Sequence, residues 1–550
     1  MSESWDHTFD VVVAGTGVAA LSAAVTAADA GLTVLMLEST DRWGGSSAMS
    51  GGGLWLPNNP LMRRDGVGDS REEALAYLDA TVGDAGPATS VKRKEAFVDG
   101  VDGFITLAER LGVRFARAAD YPDYYPERPG GKIGRAVEVE PFDVKRIGTW
   151  WETSRGQDGV PAPVKTDDFW LLSRAWSTPS GFTRGARVVF RVLGSLARGR
   201  NAVGMGAAVT ASLLDVALRL GVTVWLSSPV TEILFEDGRV AGVRTTRADQ
   251  AVTVKAGRGV VLGGGGFDHN TAWREKYQGV DGAASSGSRG NVGSAIEVGQ
   301  RAGGALDLMD DAWWGGSIPG ATSTASAMFL VSERSMPFSM IVDARGQRFA
   351  NESESYVDLG HHMLEHFENT PGTCWMITDV RHTHRYLRSY AMDPKATRAM
   401  RDAGIMVSAP TIPDLAVRLG IDAARLAATV ERFNGFARSG VDADFARGNS
   451  AYDRYYGDPL VRPNPNLGTL EKGPFTALQV VPGDLGTKGG VLTDAAARVL
   501  REDGTVIEGL YAAGNNSASV MGRTYPGPGS TLGPAAVFGY LAARHLAGEA

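Results

Sequence analysis

A tyrosine followed by two proline–glycine pairs carries the strongest chemical signal in this 550-residue chain. In the run Gly522-Arg523-Thr524-Tyr525-Pro526-Gly527-Pro528-Gly529-Ser530-Thr531-Leu532-Gly533-Pro534, the prolines at 526 and 528 fix φ and remove two donors. The N–H of Gly529 is then left as a pre-aimed donor ahead of a helix whose first turn holds Pro534. The O–H of Tyr525 and the N–H of Gly529, converging on one point, form an oxyanion hole for a carbonyl that becomes an enolate. The alternative reading of the same run is a rigid turn that only positions a cofactor. A second run, Asp343-Ala344-Arg345-Gly346-Gln347-Arg348-Phe349-Ala350-Asn351-Glu352, is followed by Tyr356, the candidate proton acceptor. A phenol ionises near pH 10, so it needs a neighbour, a dipole or a second hydroxyl to act as a base near neutrality. Tyr121-Pro122-Asp123-Tyr124-Tyr125-Pro126 can supply that hydroxyl, although clustered tyrosines also serve packing. His361, His362 and His366 lie at near-helical spacing without a paired carboxylate or cysteine pattern, so no metal is expected. No G-x-S-x-G elbow is present, and hydrolase chemistry is unsupported.

The elements that must position these groups begin with a βαβ unit. Residues 9–14 form a β-rich run, residues 15–20 read Gly-Thr-Gly-Val-Ala-Ala and open an alanine-rich helix, and residues 32–37 form a second strand ending at Glu38 and Ser39. Gly15 permits the tight turn, Gly17 lets a pyrophosphate approach the helix N-terminus over Val18 and Ala19, and Ala20 allows close packing. Glu38 is placed to accept both ribose hydroxyls. The loop that follows, with Gly44, Gly45, Ser46, Ser47, Ser50, Gly51 and Gly52, is long and donor-rich where nicotinamide enzymes resume a helix. It suits a diphosphate and ribityl chain, and FAD is the expected cofactor. Distant segments complete the same domain: strands near 222–226 and 229–234, a buried strand ending at residues 263–266, another ending at residues 514–516, and a closing helix over 533–546. They add Val230, Gly264, Gly514, Asn515, Ser530 and Leu532 to the expected cofactor contacts. The fold class is α/β: a discontinuous Rossmann-type domain over 1–315 and 487–550, interrupted by a catalytic or cap domain over 316–486. Within the cap, 412–436 reads as a helical run.

Composition narrows the partners. Lys and Arg number 55 against 62 Asp and Glu, for a net charge of −7, which argues against nucleic acid. Glycine fills 71 positions, a bias that nucleotide-binding turns share. The single cysteine, Cys374, fits a reducing compartment, and the first residues lack the pattern of a signal peptide, so a cytoplasmic setting is expected. Arg184, Arg187, Arg191 and Arg198 fall on one face of a helix opposite Val188, Val192 and Leu196. That face reads as solvated, or as a weak peripheral contact with an anionic membrane.

The chain resembles the bacterial 3-oxosteroid 1-dehydrogenases, within the flavoprotein family that also contains soluble fumarate reductases. The match covers nearly its whole length. It rests on Tyr525-Pro-Gly-Pro-Gly529-Ser-Thr, Val481-Pro-Gly-Asp-Leu-Gly-Thr-Lys-Gly-Gly490, Arg348-Phe-Ala-Asn-Glu352 with Tyr356 after it, and Pro122-Asp-Tyr124. The resemblance implies a 1,2-desaturation of a 3-oxosteroid. Tyr525 and Gly529 hold the C3 carbonyl, Tyr356 takes a proton from C2, Tyr124 assists, and hydride leaves C1 for the flavin, with electrons passing to an external quinone-like or dye acceptor. Tyr124 and Tyr125 are adjacent, and both stand as matches for the assisting residue. Desaturation at C4–C5 of a 5α-3-oxosteroid is the close alternative. Fumarate-reductase chemistry and a non-enzymatic flavin-fold scaffold are more distant ones. Residues 485–488 and 525–529 lack the guanidinium and imidazole clamp that a dicarboxylate needs. Asn515 departs from the acidic residue that commonly follows the Ala-Gly turn.

Overall fold

A computed structural model describes residues 5–160, 162–320, 327–391 and 393–549. Val11, Val12 and Val13 are wholly buried, as a parallel strand covered on both faces requires. Val11 and Val13 join the cluster containing the helix Val18–Asp29, whereas Val12 and Ala14 face Val230, Val243 and Ile296. The strand His7–Ala14 lies between Val34–Leu37 and Gln250–Leu262. Thr223–Trp225 flanks the former and Val506–Ala512 the latter, all five parallel. Ala14 pairs with both Leu37 and Leu262, and Leu262 with Ala512. The strands therefore end together at the position where the strand order reverses, the usual place for a nucleotide.

The helices behind this sheet approach closely because their contact residues are small. A Cβ on Gly539 of the helix Leu532–Ala547 would sit 2.3 Å from the Ala19 carbonyl oxygen. The Ser22 hydroxyl donates to the Ala536 carbonyl at 2.7 Å. The last helix thereby locks onto the first, and residues 525–531 are delivered to the strand ends.

A second, antiparallel sheet is built on the long strand Phe475–Thr487, which pairs with Ala312–Pro319, Cys374–Thr378 and Met406–Ala409. Ser339–Val342 adds to Cys374–Thr378. Cys374 is buried in this sheet, and burial lifts its thiol to about 12. The run 412–436 is not one helix. It divides into Ile412–Leu419 and Ala423–Ser439, because Gly420 adopts φ 70° and the Asp422 side chain caps the second helix at the Arg425 N–H. The arginine-bearing segment is the helix Pro179–Ala197, and its expected arginine face is divided: Arg187 and Arg198 are exposed, whereas Arg184 and Arg191 are half-buried. Arg184 pairs with Asp167 at 2.9 Å and Arg191 with Asp168 at 2.8 Å, turning both towards the helix Thr166–Leu172, while Leu196 is exposed. Buried acids draw the guanidinium groups inward.

The approach to Tyr356 is fixed by a buried ion network. Glu352 accepts from Arg348 at 2.7 Å and Arg447 at 3.1 Å, and its other oxygen accepts the Ile341 N–H at 3.1 Å. Burial pushes the Glu352 carboxyl up, but the two guanidinium groups outweigh it and hold it below the ordinary range. Glu352→Ala leaves Arg447, which is fully buried, without its counter-ion. The expected cost is about 3–5 kcal/mol, read as a lower denaturation midpoint. An unchanged midpoint would remove this network from the account.

Candidate active site

Four chain segments that are far apart in sequence meet at one wall. Tyr525 stacks on Tyr124 with ring centroids 5.1 Å apart, and Tyr356 lies 4.9 Å from Tyr525 and 5.4 Å from Tyr124. Trp313 and Phe329 meet Tyr525 and Tyr356 edge-on at 5.3 and 5.1 Å. Tyr356 is the first residue of the helix Tyr356–Asn369. Tyr124 is set by its own backbone, whose N–H donates to the Pro526 carbonyl at 2.9 Å. The neighbouring Asp123 is clamped by Trp55 at 2.7 Å and Arg135 at 2.9 Å. Tyr125 points elsewhere and donates to Asp358 at 2.9 Å.

Gly529 has φ +95°, and a Cβ there would lie 2.2 Å from the Gly53 carbonyl oxygen. Its own carbonyl accepts the Trp55 N–H at 3.1 Å, which pins the turn to the strand Leu54–Trp55. The Thr531 hydroxyl donates to the Tyr525 oxygen at 3.3 Å. Gly529→Ala is expected to cost about 1–3 kcal/mol from backbone strain and to displace the Gly529 N–H. A variant that melts and reacts like the parent would contradict the placement.

Burial raises all three phenols. Tyr124 and Tyr356 are held well above the ordinary value by burial and by neighbouring tyrosines. Tyr525 is raised by burial while the hydroxyls of Thr531 and Tyr356 and the amides of Gly529 and Thr531 pull it down. The donors thus converge on Tyr525, which marks it as the group best placed to stabilise charge on a neighbouring oxygen.

This wall belongs to a cavity of about 670 Å³ that also contains the strand ends. Gly15, Gly17, Val18, Ala19, Glu38, Ser39, Gly45, Ser46, Ser47, Ser50, Gly51, Gly52, Val230, Gly264, Gly514, Asn515 and Leu532 line it, together with Tyr124, Tyr356, Tyr525 and Gly529. Ala20, Gly44 and Ser530 stand behind it. Ala20 packs on Gly263, the Gly44 N–H donates to Thr16 Oγ1 at 2.9 Å, and Ser530 Oγ donates to the Gly527 carbonyl at 2.7 Å.

A profile of the FAD binding domain family matches residues 10–532. A 3-oxosteroid 1-dehydrogenase of Mycolicibacterium smegmatis is 43% identical, with 98% of each chain covered. The chain belongs to this family. FAD is the family's cofactor and the cofactor of this chain. A 4-oxocyclohexanecarboxylate 2-dehydrogenase of Sinomonas cyclohexanicum is 36% identical, covering 99% of this chain and 93% of the relative. Among solved structures, the 3-ketosteroid delta1-dehydrogenase of Sterolibacterium denitrificans in complex with 1,4-androstadiene-3,17-dione superposes with a TM-score of 0.91 at 35% identity, covering 99% of this chain and all of that one.

The residues present fit FAD. Gly15 has φ +101°, and a Cβ there would strike the Gly263 carbonyl oxygen at 2.4 Å, so only glycine lets the first turn pack against the strand end at the cavity's rim. Glu38 is oriented by the Thr16 hydroxyl and by the Thr40 N–H at 3.0 Å. Ser46 Oγ accepts from the Ser288 N–H at 2.8 Å and Asn291 Nδ2 at 2.9 Å, tying the donor-rich loop to a segment that sequence reading passed over. Other lining residues not anticipated include Thr16, Phe169, Trp170, Phe329 and Val331. Thr16 stands between the two glycines, and Tyr452, Tyr455 and Tyr456 share one short helix beside Tyr121 and Tyr124. Those two signals were legible; the apolar wall was not, because it is drawn from scattered segments.

Proposed function

We propose that this chain desaturates the C1–C2 bond of a 3-oxo-4-ene steroid. The observation that carries the reading is the meeting of Tyr124, Tyr356, Tyr525 and Gly529 in the cavity that also receives the cofactor. Tyr525 and the Gly529 N–H hold the C3 carbonyl oxygen and stabilise the charge that develops there. That polarisation acidifies C2, whose proton passes to Tyr356 as its phenolate, with Tyr124 sharing the proton. Bound FAD would supply the acceptor for the hydride lost from C1. The products are the 3-oxo-1,4-diene and reduced cofactor, so carbon loses one proton and one hydride. Gly15, Gly17, Glu38, the serine and glycine loop 44–52, Gly514 and Asn515 would hold FAD.

A neutral ketone fits a wall of tyrosine, tryptophan and phenylalanine better than a dianion would. The aligned relatives over 30% identical carry names that describe dehydrogenation of oxo compounds. The same reading assigns two domains, 1–315 with 487–550 and 316–486. It also assigns an external quinone-like electron acceptor and a cytoplasmic protein with peripheral membrane contact. No helix among the described residues is long and apolar enough to cross a membrane.

Regiospecific deuterium labelling tests the position of attack. Loss of label from C1 and C2 of the steroid is expected, whereas loss from C4 and C5 of a 5α-3-oxosteroid would replace this reading with the C4–C5 one.

A further inference from the structure

We infer that Ser389 reads the substituent at the end of the substrate remote from its reacting ketone, and that it takes a hydroxyl there in preference to a carbonyl. The inference rests on the desaturase reading above and extends it to the far end of the substrate. Ser389 lines the active-site cavity, and two walls lead to it from the tyrosines. On one wall, Phe329 meets Tyr356 at 5.1 Å, Val331 lines the cavity two residues on, and Glu333, the partner of Ser389, opens the turn Glu333–Ser335. Four residues of chain reach at most about 14 Å. On the other wall, the helix Thr166–Leu172 starts beside the turn that holds Gly529: the Thr166 hydroxyl donates to the Gly51 carbonyl, and Thr166 Cγ2 lies 3.8 Å from the place of a Cβ on Gly53. The residue after this helix, Ser173, accepts the Leu387 N–H at 2.8 Å. Seven helical residues advance about 10 Å, and Phe169 and Trp170 face the cavity on the way. Both walls thus place Ser389 about one four-ring skeleton away from the carbonyl held by Tyr525 and Gly529.

The direction of its hydrogen bond sets what Ser389 can bind. The Ser389 N–H donates to Glu333 Oε1 at 3.4 Å, and the Ser389 hydroxyl donates to the same oxygen. Glu333 is buried, and an oxygen that already receives the amide is an acceptor towards the hydroxyl as well. A serine hydroxyl has one hydrogen and two lone pairs. Its hydrogen is committed to Glu333, so the lone pairs are what it offers the cavity. A hydroxyl on the last ring of the substrate can donate to them. A carbonyl there cannot, and it would take water away from the serine without replacing that hydrogen bond. Glu333 is in this sense a positioning residue: it acts on the substrate only by fixing which way the Ser389 hydrogen points.

The test compares 17β-hydroxy-4-androstene-3-one with 4-androstene-3,17-dione on the FAD-loaded protein, by kcat/KM and by Kd from the perturbation of the flavin spectrum by the two corresponding 1,4-dienes. The parent is expected to favour the hydroxyl compound of each pair by roughly tenfold, the effect of one neutral hydrogen bond. Ser389→Ala should bring both ratios to about one. Glu333→Gln keeps a carbonyl oxygen for Ser389 and should keep the preference, whereas Glu333→Ala frees the hydroxyl hydrogen and should abolish or reverse it. Parent ratios near one would overturn the inference, as would a Ser389→Ala protein that holds flavin and retains the parent ratios. If neither ketone were turned over, the desaturase reading would fall, and the ratio of Kd values in parent and Ser389→Ala would still decide this one.

Discussion

Tyr356→Phe is expected to slow reduction of the bound flavin by the steroid by about 10²–10⁴-fold, the range for loss of a positioned proton acceptor. The substitution keeps the ring, and with it the contacts to Tyr525, Tyr124 and Phe329 at 4.9, 5.4 and 5.1 Å. Flavin content and melting temperature should therefore match the parent, which separates chemistry from folding. The same residue predicts a pH dependence. Burial and the neighbouring tyrosines hold the Tyr356 phenol well above its ordinary value, so the proton-accepting phenolate is scarce at neutral pH. At an ordinary value near 10, about 0.1% would be ionised at pH 7, and a raised value leaves less. The reduction rate of the parent should climb with pH, by roughly tenfold per unit below the effective pKa, and the variant should lose that slope. A Phe variant within a few-fold of the parent, with the slope intact, would move the proton to another acceptor.

Tyr525→Phe is expected to lower turnover by about 10²–10³-fold, equivalent to roughly 2.7–4 kcal/mol, as removal of one oxyanion-hole donor does elsewhere. Stacking on Tyr124 and the edge contact with Trp313 survive the change. The Thr531 hydroxyl loses an acceptor at 3.3 Å, a modest cost because the group is only partly buried. The division between kinetic constants discriminates. A fall in kcat and kcat/KM together means that the hydrogen bond strengthens as charge develops, whereas a rise in KM alone means that Tyr525 only binds the ketone. The second outcome would leave Gly529 as the sole donor that stabilises charge.

The nucleotide half was legible because its demands are local. Gly15 must be bare whatever surrounds it, and the acid at the end of the second strand follows from the length of the βαβ unit. The tyrosine wall was legible only in part. Proline and glycine around Tyr525 announce a rigid turn, but nothing local says that Tyr124 faces the cavity while Tyr125 turns to Asp358; the fold decides between adjacent residues. The helix Pro179–Ala197 shows the limit most plainly. Its periodicity divides it into two faces, yet which face is inward depends on Asp167 and Asp168, whose position against it is a tertiary fact. The break within 412–436 is different in kind, since Gly420 and the capping Asp422 are local signals that a longer apolar pattern obscures.

The central claim, that these tyrosines and bound FAD together take hydrogen from C1 and C2 of a 3-oxosteroid, is tested most directly by anaerobic mixing. The purified FAD-loaded protein is combined with 4-androstene-3,17-dione while the flavin absorbance is followed, and the steroid is then recovered for mass and ultraviolet analysis. The account predicts loss of the oxidised flavin band and a 1,4-diene-3-one lighter by two hydrogens, formed in equal amount to the flavin reduced. A flavin that stays oxidised while the steroid is recovered unchanged would contradict it.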